Sequence, residues 1–107
     1  MSQKPKIRGG ALLARALQEK GIEHVFTLSG GFCNPALEGF MECQMKVTNC
    51  PHEQIAGHFA DGHTRITRKP AVCLVGPEGF ANAVPAMMEA WGERSPVIFV
   101  TGSSTLK

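Results

Sequence analysis

The sequence predicts an α/β protein, doubly wound around a mostly parallel sheet of about four strands with helices on both faces. Two observations carry this expectation. Segments with apolar residues at helical spacing alternate with short strand-like runs along almost the whole chain. The clearest of those runs, Ala71-Val72-Cys73-Leu74-Val75, is apolar at every position, the pattern of a parallel strand covered on both sides. The connections are then expected to be right-handed crossovers.

The elements follow in order. Ala11 to Lys20 places Leu12, Leu13, Ala16 and Leu17 on one helical face, and Gly21 supplies a C-terminal stop. Val25-Phe26-Thr27-Leu28 is a short strand ended by Ser29-Gly30-Gly31. Asn34 reads as a helix cap with Pro35 at the first helical position, opening a helix through Leu37 and Phe40 to about Met41. Lys46 to Cys50 is a weaker strand closed by Pro51. A helix from near Glu53 carries Ile55, Ala56, Phe59 and Ala60 at core spacing, with Gly57 and Gly62 inside it. Each glycine costs about 1 kcal/mol against alanine, so close packing on a neighbour is the expected reason for it. After the strand Ala71–Val75, the next helix shows Val84, Met87, Met88 and Trp91 at i, i+3, i+4 and i+7. Pro85 requires that helix to begin close to Asn82, since only a first turn spares an N–H. Val97-Ile98-Phe99-Val100 is a last strand before Gly102-Ser103-Ser104, and an ending straight after a strand reads as a domain cut short.

A chain of 107 residues supports one domain and one core. With 43% hydrophobic and 19% charged residues it is globular rather than disordered. A net charge of +2 predicts neither a nucleic-acid footprint nor a basic membrane-binding face. No stretch approaches the ~18 unbroken apolar residues of a membrane span. The basic N-terminus Met1 to Lys6 leads into no signal-type apolar segment, so a cytoplasmic location is expected. In that compartment Cys33, Cys43, Cys50 and Cys73 are reduced and structural. Cys50, His52, His58 and His63 form a loose Cys/His set without zinc-like spacing, and His58 reads as a half-buried helix residue.

In an open α/β sheet, ligands bind beyond the carboxyl ends of the strands. Four segments share that edge: Ser29-Gly30-Gly31, Pro51-His52-Glu53, Gly76-Pro77-Glu78-Gly79 and Gly102-Ser103-Ser104. Three are glycine-rich, which lets backbone N–H groups approach a ligand, and the fourth offers a carboxylate at a helix start. Each has a plain structural use as well, as a tight turn or as a dipole-favoured acid. Neither G-x-G-x-x-G nor a P-loop lysine motif is present.

The run from Pro51 to Arg65, PHEQIAGHFADGHTR, resembles the R-H-E-x-x-A-x-x-x-A-D-G-Y-A-R signature of thiamine-diphosphate enzymes of the acetolactate synthase and 2-hydroxyacyl-CoA lyase type. The likeness extends through Gly21–Phe26 with Ser29-Gly30-Gly31, Lys69–Val84 and Ser95–Gly102, in the family's order. It implies an N-terminal pyrimidine-binding domain, here one domain over residues 1–107 that is incomplete at its C-terminus. In such a domain the glutamate matching Glu53 hydrogen-bonds a ring nitrogen of the cofactor's aminopyrimidine and favours its imino tautomer. Ser29, Gly30 and Gly31 would lie against the pyrimidine, with Gly79 and Asn82 in a second loop.

The resemblance further implies thiamine diphosphate as cofactor and a reaction that makes or breaks a C–C bond next to a carbonyl. It implies Mg²⁺ only through a diphosphate-binding domain that has no counterpart in this sequence. The partner is then that domain or a second subunit, in a homo-oligomer, and the chain alone is expected to be inactive. The sequence departs from the signature at Pro51, where arginine is usual, at His63, where tyrosine is usual, and at Glu78 in the second loop, where the family has glycine. The alternative is a non-catalytic α/β module, or a dimerisation fragment that binds a partner through an open sheet edge.

Overall fold

The computed structural model describes residues 6–30 and 33–103. Gly31 and Ser104, both named above in candidate loops, lie outside the described residues. Eight elements alternate along the chain: α1 (Gly9–Glu19), β1 (His24–Thr27), α2 (Asn34–Glu42), β2 (Lys46–Asn49), α3 (Glu53–Thr67), β3 (Ala71–Val75), α4 (Phe80–Gly92) and β4 (Val97–Thr101). The four strands form one sheet in the order β2-β1-β3-β4, and every pairing is parallel. The doubly wound α/β expectation therefore holds.

Strand alternation divides the core into two layers. Val25, Val72 and Leu74 point to one face, where Ala14 and Leu17 of α1 and Phe40 of α2 cover them. Phe26, Ala71, Cys73 and Val75 point to the other, under Ala56 and Ala60 of α3 and Ala83 of α4. The central strand β3 is buried at all five positions, whereas the edge strands β2 and β4 are only partly covered.

α1 ends as its sequence requires. Gly21 adopts φ +84°, so the Gly21 and Ile22 N–H groups can donate to the Gln18 and Leu17 carbonyls at 2.9 and 3.2 Å. Two other helix starts differ from expectation. Asn34 is the first residue of α2 rather than its cap, which is Cys33. α4 begins at Phe80, two residues before Asn82, which leaves Pro85 inside the helix; the helix continues past one missing N–H donor.

The larger correction concerns which apolar residues face inward. In α4 the buried positions are Ala83, Ala86 and Ala90, while Val84, Met88 and Trp91 face outward, Trp91 with 78% of its surface exposed. α3 repeats this, burying Ala56, Gly57 and Ala60 and leaving Ile55 and Phe59 partly or largely exposed. In α1 it is Ala11, Ala14 and Leu17 that are buried, with Leu12 and Ala16 outside. Small residues face the sheet because they bring the helices close to it and to each other. A Cβ on Gly57 would sit 2.5 Å from the Ala86 Cβ of α4, so that glycine marks the close approach expected of it. Gly62 does not: a Cβ there meets nothing within 4 Å. No described helix is long and apolar enough to cross a membrane.

Candidate functional site

The sheet order locates the crevice. From β1 the chain moves outward to β2, then returns across β1 to β3 and proceeds the other way to β4. The reversal falls between the carboxyl ends of β1 and β3, where open α/β sheets place their ligands. A cavity of about 160 Å³ lies there, lined by Leu28, Ser29 and Gly30 after β1, by Gly76, Glu78 and Gly79 after β3, and by Glu53. That volume is below the ~300–1,000 Å³ of pockets that enclose whole drug-sized ligands, and suits one ring of a larger molecule.

Glu53 is the first residue of α3, directly after the His52 cap, whose ring Nδ1 accepts the Gln54 N–H at 3.0 Å. The helix start favours a carboxylate, since unpaired N–H groups and the dipole put positive potential there. Only 8% of Glu53 is exposed. Its Oε1 accepts from Asn82 Nδ2 at 3.3 Å, whereas its Oε2 is buried without a hydrogen-bond partner. An acceptor left in that state costs about 1–3 kcal/mol, which a donor on a ligand would offset.

Gly79 forms the opposite wall. A Cβ at that position would lie 2.7 Å from Glu53 Cγ and 3.0 Å from Oε2, so only glycine leaves the carboxylate its place. The unpartnered oxygen and this side-chain-free cradle fit a flat heterocycle with a hydrogen-bond donor facing Oε2.

Ser29, Gly30, Gly79 and Glu53 thus meet at one cavity, and Asn82 holds Glu53 from α4. The Ser29 N–H reaches back to Asn49 Oδ1 at 3.3 Å, tying the β1 loop to the end of β2. Gly102, the fourth expected segment, does not line the cavity; its backbone amide hydrogen-bonds the Cys33 thiol behind the β1 loop. One lining residue, Leu28, lies outside the four candidate segments: it directly follows β1, and the sequence pattern reads it as the strand's last residue. Gly76 and Glu78 line the cavity from within the candidate segment after β3.

The rest of the Pro51–Arg65 motif is structural. Asp61 is buried and receives Arg65 Nε at 3.0 Å and an Arg65 terminal nitrogen at 2.8 Å; Arg65 also reaches Glu89 of α4 at 3.1 Å. The loose Cys/His set is dispersed: His58 is exposed and contacts Gln54, while His63 stands edge-on to His24, ring centres 4.9 Å apart. A larger groove of about 430 Å³ at the other end of α3 is lined by Arg65, Arg68, Glu93 and Arg94 among others. It offers neither a buried unpaired carboxylate nor a glycine cradle.

Comparison with known proteins gives the family. Residues 7–107 match the family model for the N-terminal TPP-binding domain of thiamine pyrophosphate enzymes. The chain is 36% identical over 97 residues to the acetolactate synthase large subunit of Mycobacterium tuberculosis, covering 90% of this chain and 18% of that protein. It is 33% identical over 95 residues to the sulfoacetaldehyde acetyltransferase of Roseovarius nubinhibens, covering 87% and 16%. Among solved structures, a Mycobacterium smegmatis protein described as thiamin diphosphate-dependent superposes with a TM-score of 0.81 at 25% identity, over 97% of this chain and 20% of the other. A thiamine diphosphate-dependent 4-hydroxybenzoylformate decarboxylase of Rhodococcus jostii shares the fold, with a TM-score of 0.82 at 23% identity over 90% of this chain and 18% of the other. The chain thus spans less than a fifth of the length of the curated relatives it matches.

Proposed function

Because this chain belongs to the thiamine pyrophosphate enzymes, as their N-terminal TPP-binding domain, we propose that Glu53 is the residue through which it acts on the cofactor's aminopyrimidine. The observation that carries this is the buried, unpartnered Oε2 of Glu53 in the crevice between β1 and β3. The carboxylate accepts a proton-bearing ring nitrogen at Oε2, while Asn82 fixes its other oxygen and Gly79 keeps the space above it open. Ser29 and Gly30, which line the same cavity, lie against the ring's other side; the family likeness adds Gly31, which lies outside the described residues. When bound, thiamine diphosphate supplies a thiazolium carbon that becomes a nucleophile toward a carbonyl carbon. The role of Glu53 is to hold and exchange the proton at the pyrimidine ring nitrogen.

The parent reaction is C–C bond formation or cleavage next to a carbonyl: decarboxylation of a 2-keto acid, carboligation, or acyl-CoA lyase chemistry, in the lyase or transferase classes. The described domain supplies the pyrimidine side of a site. A diphosphate-binding domain or second subunit, in a homo-oligomer, supplies the Mg²⁺ and diphosphate contacts, so the chain alone has little or no turnover. The outward apolar faces of α3 and α4, with Phe59, Met88 and Trp91 exposed, support a partner that covers them. Four unpaired thiols support a reducing, cytoplasmic setting.

The test is deuterium exchange at the thiazolium carbon of thiamine diphosphate, with binding measured alongside, for the chain and for Glu53→Gln. Binding weakened roughly tenfold or more in the variant is expected if Oε2 makes a charge-assisted hydrogen bond, together with loss of any accelerated exchange. Equal binding and equal exchange by the two proteins would remove Glu53 from the mechanism. A stable monomer that binds no cofactor would favour the non-catalytic module.

A further inference from the structure

The cavity holds a second carboxylate. Glu78 follows β3, lines the same space as Glu53, and its Oε2 stands 3.8 Å from where a Cβ on Gly76 would be. Burial first, and then the Glu78 charge, push the Cys33 thiol up. Among the described residues, no lysine, arginine or histidine lines the cavity. The nearest histidine in sequence, His52, turns its ring to the Gln54 amide. The groups facing Glu78 are therefore Glu53 from the start of α3, and Cys33 at the start of α2. A small cavity with two acidic groups and no basic one favours cationic ligands over neutral ones, because each carboxylate adds attractive potential for a positive charge.

On the reading of this cavity as an aminopyrimidine site, we propose that Glu78 is a specificity-determining residue that makes the pocket select the ring-protonated, cationic form of the aminopyrimidine. An aminopyrimidine is a weak base with a ring nitrogen that takes up a proton in mild acid. Glu53 receives that ring nitrogen's N–H, and Glu78 adds a second negative charge nearby without contacting the same atom. The proton comes from solvent, so binding at neutral pH is accompanied by proton uptake. Glu78 is exposed and sits in a loop, so its replacement leaves the core intact.

The experiment uses the full chain and the hydroxymethyl derivative of thiamine's aminopyrimidine, which has no phosphate and needs no second domain. Its binding is measured by calorimetry from acidic to slightly alkaline pH, in buffers of different ionisation enthalpy so that proton uptake is read directly. For the unaltered chain, affinity rises as pH falls toward the ring's own pKa, with net uptake of protons. For Glu78→Gln the pH-dependence of Kd shrinks by about threefold, as expected of one charge a side-chain length away in a water-like dielectric, while affinity at alkaline pH is retained. Glu78→Lys weakens the acidic-pH complex further still. Circular dichroism confirms that both variants fold.

Identical pH profiles and proton uptake in the unaltered chain and both variants would overturn the role of Glu78 while leaving the pocket reading intact. Failure of the unaltered chain to bind the aminopyrimidine at any pH would overturn both. Binding with normal proton uptake in Glu53→Gln, lost in Glu78→Gln, would support Glu78 and remove Glu53 instead.

Discussion

Gly79 and Glu53 interlock: the space a side chain at residue 79 would need is taken by the Glu53 carboxylate, with Cγ 2.7 Å and Cδ 2.8 Å from the absent Cβ. The contact joins the loop after β3 to the start of α3 at the crevice. Gly79→Ala is expected to displace the carboxylate and to lower stability by about 1–3 kcal/mol, the usual cost of overpacking. Urea unfolding checks the stability. Binding of the aminopyrimidine derivative checks the site, and wild-type affinity in a destabilised Gly79→Ala variant would show that the two effects are separable.

Asp61 and Arg65 bind α3 internally and reach α4 through Glu89. Burial alone would raise the Asp61 pKa; the Ser95 hydroxyl and the Arg65 guanidinium reverse this and hold it below the usual carboxylate value. A depressed carboxylate stabilises the fold fully above its unfolded value of 3.8, and that contribution is lost as pH falls through the lower folded value. Asp61→Asn should therefore flatten the acid limb of the stability profile, measured as thermal midpoint against pH. An unchanged acid limb would mean another carboxylate governs it.

His24 titrates with the opposite sign of charge. Burial first, then the charges of His63 and Lys46, lower its pKa below 6.5, so the fold favours the neutral ring. Its Nε2 is 2.7 Å from Thr48 Oγ1, and the ring stacks on Phe26 with centres 4.1 Å apart. Stability is full above the unfolded value of 6.5 and declines as pH falls from there toward the lower folded value. His24→Phe keeps a stacked ring and removes the proton, so its thermal midpoint should vary less over that interval.

Cys33, Cys50 and Cys73 are buried, and burial pushes the Cys73 thiol up to about 12, whereas Cys43 is partly exposed. A thiol reagent that requires thiolate should modify Cys43 first in the native protein and reach the other three only on unfolding. Rapid native modification of Cys73, read by mass spectrometry, would show that β3 opens locally.

Three helix ends hold non-glycine residues in the left-handed region, where glycine is at ease, Arg68 after α3 (φ 59°) among them. Gln44 after α2 has φ 59° and Arg94 after α4 has φ 56°, each within the paired N–H contacts of a Schellman turn. Gln44→Gly and Arg94→Gly should each stabilise the chain by about 0.5–1 kcal/mol, measured by urea unfolding, because the strain removed exceeds the backbone entropy added.

The order and class of the elements were legible in the sequence because period-2 and period-3.6 patterns alternate cleanly and glycine or proline punctuates most boundaries. The crevice was legible for the same reason: strand ends carrying Ser29-Gly30, Glu53 and Gly79 lie at one edge once the sheet is parallel. Which helix face turns inward was not. Val84, Met88 and Trp91 form the larger apolar stripe, but a sheet of four strands covers only one side of each helix, and the alanines make the closer approach to it. Periodicity finds a stripe; it does not report what covers it. The sequence places Glu78 in a segment at the ligand edge, but that it shares one cavity with Glu53 is a proximity spacing does not encode.

The return of the chain across β1 also determines when the site comes into being. Thr27 Oγ1 donates to the Leu74 carbonyl at 2.7 Å, a bond between residues 47 apart in sequence, and the β1–β3 pairing is what opens the crevice. The closure entropy of that long loop must be overcome before the pairing yields any contact energy. α1, β1, α2 and β2 can associate locally as a first unit, yet that unit contains only one wall of the cavity. The crevice therefore exists only once β3 has paired with β1: a chain halted after β2 would carry Ser29 and Gly30 with neither Glu53 nor the loop after β3 opposite them.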